Sequence, residues 1–175
     1  GAKEIWSSGD SPNTLRGVRG EVIRLYAPEV KLRRPTRLIH PRYPIYIAPK
    51  ENDVYVVGAT EIESDDLSEM SVRSAMELLS AVYTVHSGFA EARILEMATQ
   101  CRPTLKNNLP EIRTIKDKGL ADLIMINGLY RHGFMIAPAV LDCALQVLKQ
   151  GSSKTALELG LSVTQDSNYV EAVCA

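Results

Sequence analysis

Cysteine is scarce here: Cys101, Cys143 and Cys174 are the only three in 175 residues. An odd number without CxxC spacing indicates neither a disulfide framework nor a zinc site, and the default setting is a reducing cytoplasm. Long apolar runs are also missing. The longest, Leu123-Ile124-Met125-Ile126 and Phe134-Met135-Ile136-Ala137, fall far short of the roughly 20 residues that cross a bilayer, so no membrane partner is expected. Charge of one sign does not dominate, with 20 basic and 21 acidic residues and a formal net charge of −1. No global field therefore selects nucleic acid, and the arginines at 33, 34, 37 and 42 read as a solvated loop because no recognition helix or exposed aromatic accompanies them. His40, His86 and His132 lie far apart without ligand spacing, which leaves no metal site to propose. GxGxxG, the P-loop, HExxH and GxSxG are all absent, and hydrolase and kinase readings lose their support with them.

What remains is a globular composition, 45% hydrophobic and 23% charged. The length suits one ordinary domain, and a complete two-domain dehydrogenase would need about 150 residues for its dinucleotide fold alone. The first residues, Gly1-Ala2-Lys3-Glu4-Ile5-Trp6, include neither Met nor a signal-peptide pattern and read as a cut or processed start.

Turn-formers over 7–16 predict an exposed loop. Gly20 to Tyr26 reads as a strand stopped by Pro28, and Ile45-Tyr46-Ile47-Ala48 as a short strand closed by Pro49. Turn chemistry at 50–53 joins it to the strongest β-run, Val54 to Thr60, as a hairpin. From Asp66 the apolar period changes: Val72, Ala75, Met76, Leu79, Val82 and Tyr83 share one helix face. Asp66 and Glu69 resemble a capping box, and Gly88 a terminator. Ala92 to Gln100 is ambiguous in period and has to end at Arg102-Pro103, after which a loop runs to Pro110. Leu123 to Ile126 has the look of a strand buried on both faces. Pro138 suits the first turn of a helix that runs to Gly151.

The expected fold class is α+β: a mixed, mostly antiparallel sheet from segments near 19–26, 44–49, 53–60 and 92–100, with the 68–86 helix on one face. The expected organisation is an exposed N-terminal segment (1–16), a main body (17–150) and a C-terminal tail (151–175).

Four segments carry more when taken together: Tyr46-Ile47-Ala48-Pro49-Lys50, then Gly58-Ala59-Thr60, then Arg102-Pro103, then Gly128 through Pro138. In this order and spacing they resemble the C-terminal half of the glycine oxidase/D-amino-acid oxidase family of flavoenzymes. That family's pattern runs as a tyrosine before I-x-P-[RK], then V-G-A-T, G-x-R-P and G-H-x-R-x-G-x-x-L-A-P. The resemblance covers about Gly17 to Leu148. It implies an FAD-dependent oxidation of a small amino acid or secondary amine, with thiamine biosynthesis as the pathway of one member class.

The resemblance also implies roles. Arg102 falls on the family's carboxylate clamp, where a planar guanidinium fork can hold both oxygens, and Tyr46 falls on a second donor. Arg131 resembles a family arginine near the substrate. The strand–turn–helix at Gly128, Tyr130, Arg131, His132, Gly133, Phe134 and Met135 would face the pyrimidine side of the flavin with backbone N–H groups and a positive helix end. Read without the resemblance, Arg102 would pair with a surface carboxylate, Tyr46 would fill the core, and this turn would be an ordinary βα connection.

The sequence departs from the pattern at Leu129-Tyr130, at Ala98 and Gln100, at Asn107 and at Glu61. Glu61 would favour a basic or secondary amine if it faces the substrate, and otherwise points to water. The family's adenosine-diphosphate-binding βαβ region has no counterpart in these residues. The expectation is therefore the substrate-binding portion plus the last strand and helix of a longer flavoenzyme, with FAD held by the full-length protein and not by this chain alone. The alternative is a non-catalytic oligomerisation or interaction domain, a homo-oligomer through an uncovered apolar sheet face.

Overall fold

The computed structural model describes residues 14–42, 44–115 and 123–166. Most of the N-terminal segment and the end of the tail, Cys174 included, lie outside the described residues. The chain divides into two compact units: Val18–Cys101, and Gly1–Gly17 with Arg102–Ala175. No helix among the described residues is long and apolar enough to cross a membrane.

The fold is α+β, and its larger sheet is mostly antiparallel. Five strands stand in the order β2-β3-β4-β1-β5: β1 (Arg16–Tyr26), β2 (Thr36–Leu38), β3 (Ile45–Pro49), β4 (Val54–Gly58) and β5 (Arg93–Thr104). The expected hairpin is β3 and β4, paired antiparallel from Tyr46↔Gly58 to Pro49↔Tyr55. Its turn is the mirror-image kind that matches strand twist, since Asn52 and Asp53 take φ of 58° and 56° and Val54 N–H donates to Glu51 C=O. Helix α1 (Val72–Val85) covers one face. Ile23, Leu25, Ile45, Ile47, Tyr55 and Val57 alternate onto that face and meet Leu78, Ala81, Val82 and Phe89 in the core. A 3-10 turn at Ser87–Glu91 follows, where the His86 imidazole accepts from Gly88 N–H.

In the other unit three strands stand in the order β7-β6-β8: β6 (Glu111–Ile115), β7 (Leu123–Asn127) and β8 (Ser162–Asp166). β6 pairs antiparallel with β7 and parallel with β8. Helices α2 (Gly133–Gln150) and α3 (Lys154–Glu158) complete it, with Ile112, Val140, Cys143, Ala144 and Ala156 as the core. Apolar side chains also line the outside of α2: Phe134 is fully exposed, and Leu141, Leu145 and Leu148 are more than two-fifths exposed.

Several expectations are corrected. Helix α1 starts later than the Asp66–Glu69 box: Ser71 is the cap, accepting from Ser74 N–H at 3.1 Å, and Asp66 instead accepts from Ser68 N–H and hydroxyl. Strand β5 runs through Pro103 to Thr104, which an edge strand tolerates because it leaves one row of N–H groups outside the ladder. Strand β7 is an edge strand and only partly buried, not covered on both faces. Pro138 sits inside α2, five residues beyond its first, Gly133. Leu15 is buried and Arg16 already in β1, against the exposed loop expected over 7–16, of which 7–13 lie outside the described residues. Strands β6 and β8 were not anticipated.

Candidate functional site

In the Val18–Cys101 unit, the alternation that sends Ile45 and Ile47 into the core turns Tyr46 to the uncovered face of the sheet, where it is 42% exposed. Register places Arg37, Tyr46, Gly58 and Val22 in one row across β2, β3, β4 and β1. The Tyr46 ring leans over Gly58, and a β-carbon at position 58 would stand 2.9 Å from its hydroxyl. Among the described residues that hydroxyl has no hydrogen-bond partner, so it remains available to a ligand. Glu61 is exposed.

Opposite Tyr46, on the covered face, lies a buried ion pair that the sequence reading missed. Arg19 Nη2 and Glu21 Oε1 are 2.7 Å apart, and Thr60 donates its hydroxyl to the other Glu21 oxygen at 2.9 Å. Arg19 also donates to the carbonyls of Asp66 and Glu69, at 2.9 and 2.8 Å, tying the 61–70 segment to β1. Burial pushes the Glu21 carboxyl up, but hydrogen bonds from Ser74, Arg19 and Thr60 and the charge on Arg19 outweigh it and hold it below the ordinary range. The available signal was two charges at i and i+2 sharing the face of Ile23 and Leu25. Thr60 of the Gly-Ala-Thr triplet therefore serves this pair.

In the other unit, Arg102 is half-buried near the end of β5. The glycine turn comes to the same place: Tyr130, at φ 51°, donates its N–H to Pro103 C=O at 3.2 Å. Arg102-Pro103 and Gly128–Gly133, 25 residues apart in sequence, thus meet through the backbone. Gly128 has φ +79°, and a β-carbon there would stand 2.6 Å from Leu105 Cδ1, so both backbone and space require glycine. The exposed Arg131 guanidinium stacks over the Tyr130 ring at 5.8 Å and its Nε faces His132 at 3.4 Å. No side chain caps α2, and no acidic residue stands in its first turn, so its positive end is left to whatever approaches Gly133, Phe134 and Met135. Tyr46 belongs to the other unit.

A groove of about 1050 Å³ around the β3–β4 turn, lined by Lys31, Arg33, Lys50 and Asp53 among others, contains none of the nominated residues. Among the described residues no cluster of His, Cys, Asp and Glu could hold a metal.

Residues 2–141 match the FAD dependent oxidoreductase family. The chain belongs to that family. Within the FAD-dependent oxidoreductases it is 50% identical over 126 residues to a protein of Rhizobium etli named as a thiamine biosynthesis oxidoreductase, ThiO. That alignment covers 72% of this chain and 37% of the relative, so the chain spans little more than a third of the relative's length. Among solved structures, the fold superposes on glycine oxidase from Bacillus cereus with a TM-score of 0.68, at 21% identity over 83% of this chain and 39% of that one. Iminodiacetate oxidase from Chelativorans gives a TM-score of 0.66 at 20% identity, over 87% and 41%. At such identities these two establish the fold of an FAD-dependent oxidoreductase and not its substrate.

Proposed function

We propose that this chain is the substrate-binding portion, with the last strand and helix of the cofactor domain, of an FAD-dependent amino-acid or amine oxidase of the glycine oxidase type. The single observation that carries the reading is the 50% identity over 126 residues to the ThiO protein. The reaction oxidises the amine carbon to an imine, which water hydrolyses to an oxo acid with release of ammonia or a primary amine, while oxygen takes the two electrons and becomes peroxide. When bound, FAD supplies the two-electron acceptor.

The residues present fit such a group. The uncapped N-terminal end of α2 offers backbone N–H groups at Gly133 and Phe134 and a positive dipole, suited to a ring edge that gains negative charge, while the Met135 N–H is taken by His132 C=O at 3.0 Å. Gly128, Tyr130, Arg131 and His132 form the turn that aims that end. Arg102 is assigned as the substrate carboxylate clamp, Tyr46 as a second donor and Arg131 as a further cation near the substrate. With no GxGxxG among its residues, the chain on its own is expected to hold FAD weakly or not at all, and to be inactive alone.

The test is peroxide formation by the longer protein that carries this chain, with a panel of small amino acids and secondary amines; no peroxide with any of them overturns the reading. In the active enzyme, Arg102→Ala should raise KM by about ten- to hundred-fold with little change in melting temperature, because a hydrogen bond to a charged group is worth roughly 1.5–3 kcal/mol. Arg102→Lys should recover part of it. A lowered melting temperature with unchanged KM would make Arg102 structural. The second reading, a non-catalytic oligomerisation or interaction domain, rests on the apolar outer face of α2.

A further inference from the structure

We propose that Gly58 is a positioning residue for Tyr46: the missing side chain at 58 lets the phenol lie across β4 with its hydroxyl aimed, unbonded, above the open face of the sheet. The inference rests on the proposed role of Tyr46 as a donor to the substrate carboxylate.

Glycine inside a strand needs a reason, because it weakens the strand by roughly 0.5–1 kcal/mol relative to alanine. At two other glycines the reason is a positive φ, 79° at Gly128 and 73° at Gly151. Gly58 is not among the positive-φ residues, so no left-handed backbone calls for glycine there. Space is what forbids alanine. A β-carbon at 58 would stand 2.9 Å from the Tyr46 hydroxyl oxygen, 3.0 Å from its Cζ and 2.7 Å from Val22 Cγ1. Every one of these atoms is the end of a side chain, so the fold could accommodate alanine by moving them. The displaced group would be the hydroxyl itself.

The Tyr46 ring is 42% exposed, so leaning over Gly58 buries only part of it. Its hydroxyl has no partner among the described residues, unlike that of the buried Tyr55, which donates to Val30 C=O at 2.6 Å. The exposed Tyr26 and Tyr83 share that open tip; what is particular to Tyr46 is the glycine beneath its ring and hydroxyl.

The test uses the longer protein, acetate as a probe carrying only the carboxylate, and ring-13C tyrosine, with the Tyr46 resonance assigned from Tyr46→Phe. Val22→Ala serves as the background because it removes the other crowded contact and leaves Tyr46 as the atom that must move. In that background Gly58→Ala should displace the Tyr46 resonance, leave the melting temperature within a few degrees of Val22→Ala, and weaken acetate about tenfold. Tyr46→Phe should weaken acetate by a similar factor, and Gly58→Ala added to it should cost nothing more, since the hydroxyl it displaces is gone. An unmoved resonance, an unchanged acetate affinity or multiplicative losses would overturn the proposal. If the wild-type protein neither binds acetate nor oxidises any amine, the functional reading fails separately. The resonance still decides the positioning: displacement by Gly58→Ala supports it and its absence overturns it.

Discussion

Glu21 has no exposed surface, and yet its carboxyl is kept charged, which burial alone would not allow. Two Arg19 nitrogens and the Thr60 hydroxyl converge on its oxygens, and Arg19 in turn grips two carbonyls of the 61–70 segment. Glu21→Gln removes the charge but not the shape, and takes from the buried Arg19 guanidinium its buried ion-pair partner, leaving the more exposed Asp66 carboxylate at 3.4 Å. The expected loss is about 3 kcal/mol at neutral pH, read from urea midpoints. The pH dependence follows from the sign of the shift. Because the folded carboxyl is lowered, its contribution is full above the ordinary carboxylate range and disappears as pH falls through the lowered folded value. The stability gap between wild type and Glu21→Gln should therefore narrow in acid. A gap that stays constant from neutral pH into acid would show that shape, and not charge, holds the segment.

Between elements, two positive-φ glycines make different demands. At Gly151, after α2, nothing lies within 4 Å of an added β-carbon, so Gly151→Ala meets only the left-handed backbone and should cost about 1 kcal/mol. At Gly128 the same backbone cost is joined by a clash with fully buried Leu105, and Gly128→Ala should cost about 3 kcal/mol. Equal urea midpoints for the two variants would remove the steric argument. The elements were legible where one pattern ruled locally. The β3–β4 hairpin was read from alternation plus turn residues, and the existence of α1 from the change of period, but the face it buries is Ser74, Leu78, Ala81 and Val82, while Val72, Met76 and Tyr83 of the expected face are exposed. Strand β6 was not legible, because Glu111 and Arg113 alternate with Ile112 in a strand buried everywhere but at Thr114, a burial that their pairing with each other and Thr164 permits. The start of α2 was misplaced because Pro138 imitates a first-turn signal, while the true start at Gly133 carries no capping side chain. The roles of Tyr46, Arg102 and the glycine turn are proposals, and these residues were nominated by a resemblance in order and spacing. The Arg19–Glu21 pair was not, since i,i+2 charges in a strand more often face water.

At the scale of the whole chain, α2 carries the last argument. Val140, Cys143, Ala144 and Val147 bury one face in the unit's core, while Phe134, Leu141, Leu145 and Leu148, spaced by seven, four and three, leave a second apolar stripe exposed. A helix apolar on both faces is one that larger proteins bury. The chain spans 37% of the length of its Rhizobium relative, so partners for that stripe are to be sought in the rest of such a protein. Studied alone, the 175 residues should associate as concentration rises, and Leu141→Lys with Leu145→Lys should return them to monomer, as sedimentation would show. The two functional readings then part. An enzyme portion loses this association once the longer protein covers α2, whereas an oligomerisation domain keeps it there. Association that persists in the longer protein and still yields to the paired lysines would turn the assignment toward the second reading; a chain that stays monomeric alone at all concentrations would deny the stripe any role in burial.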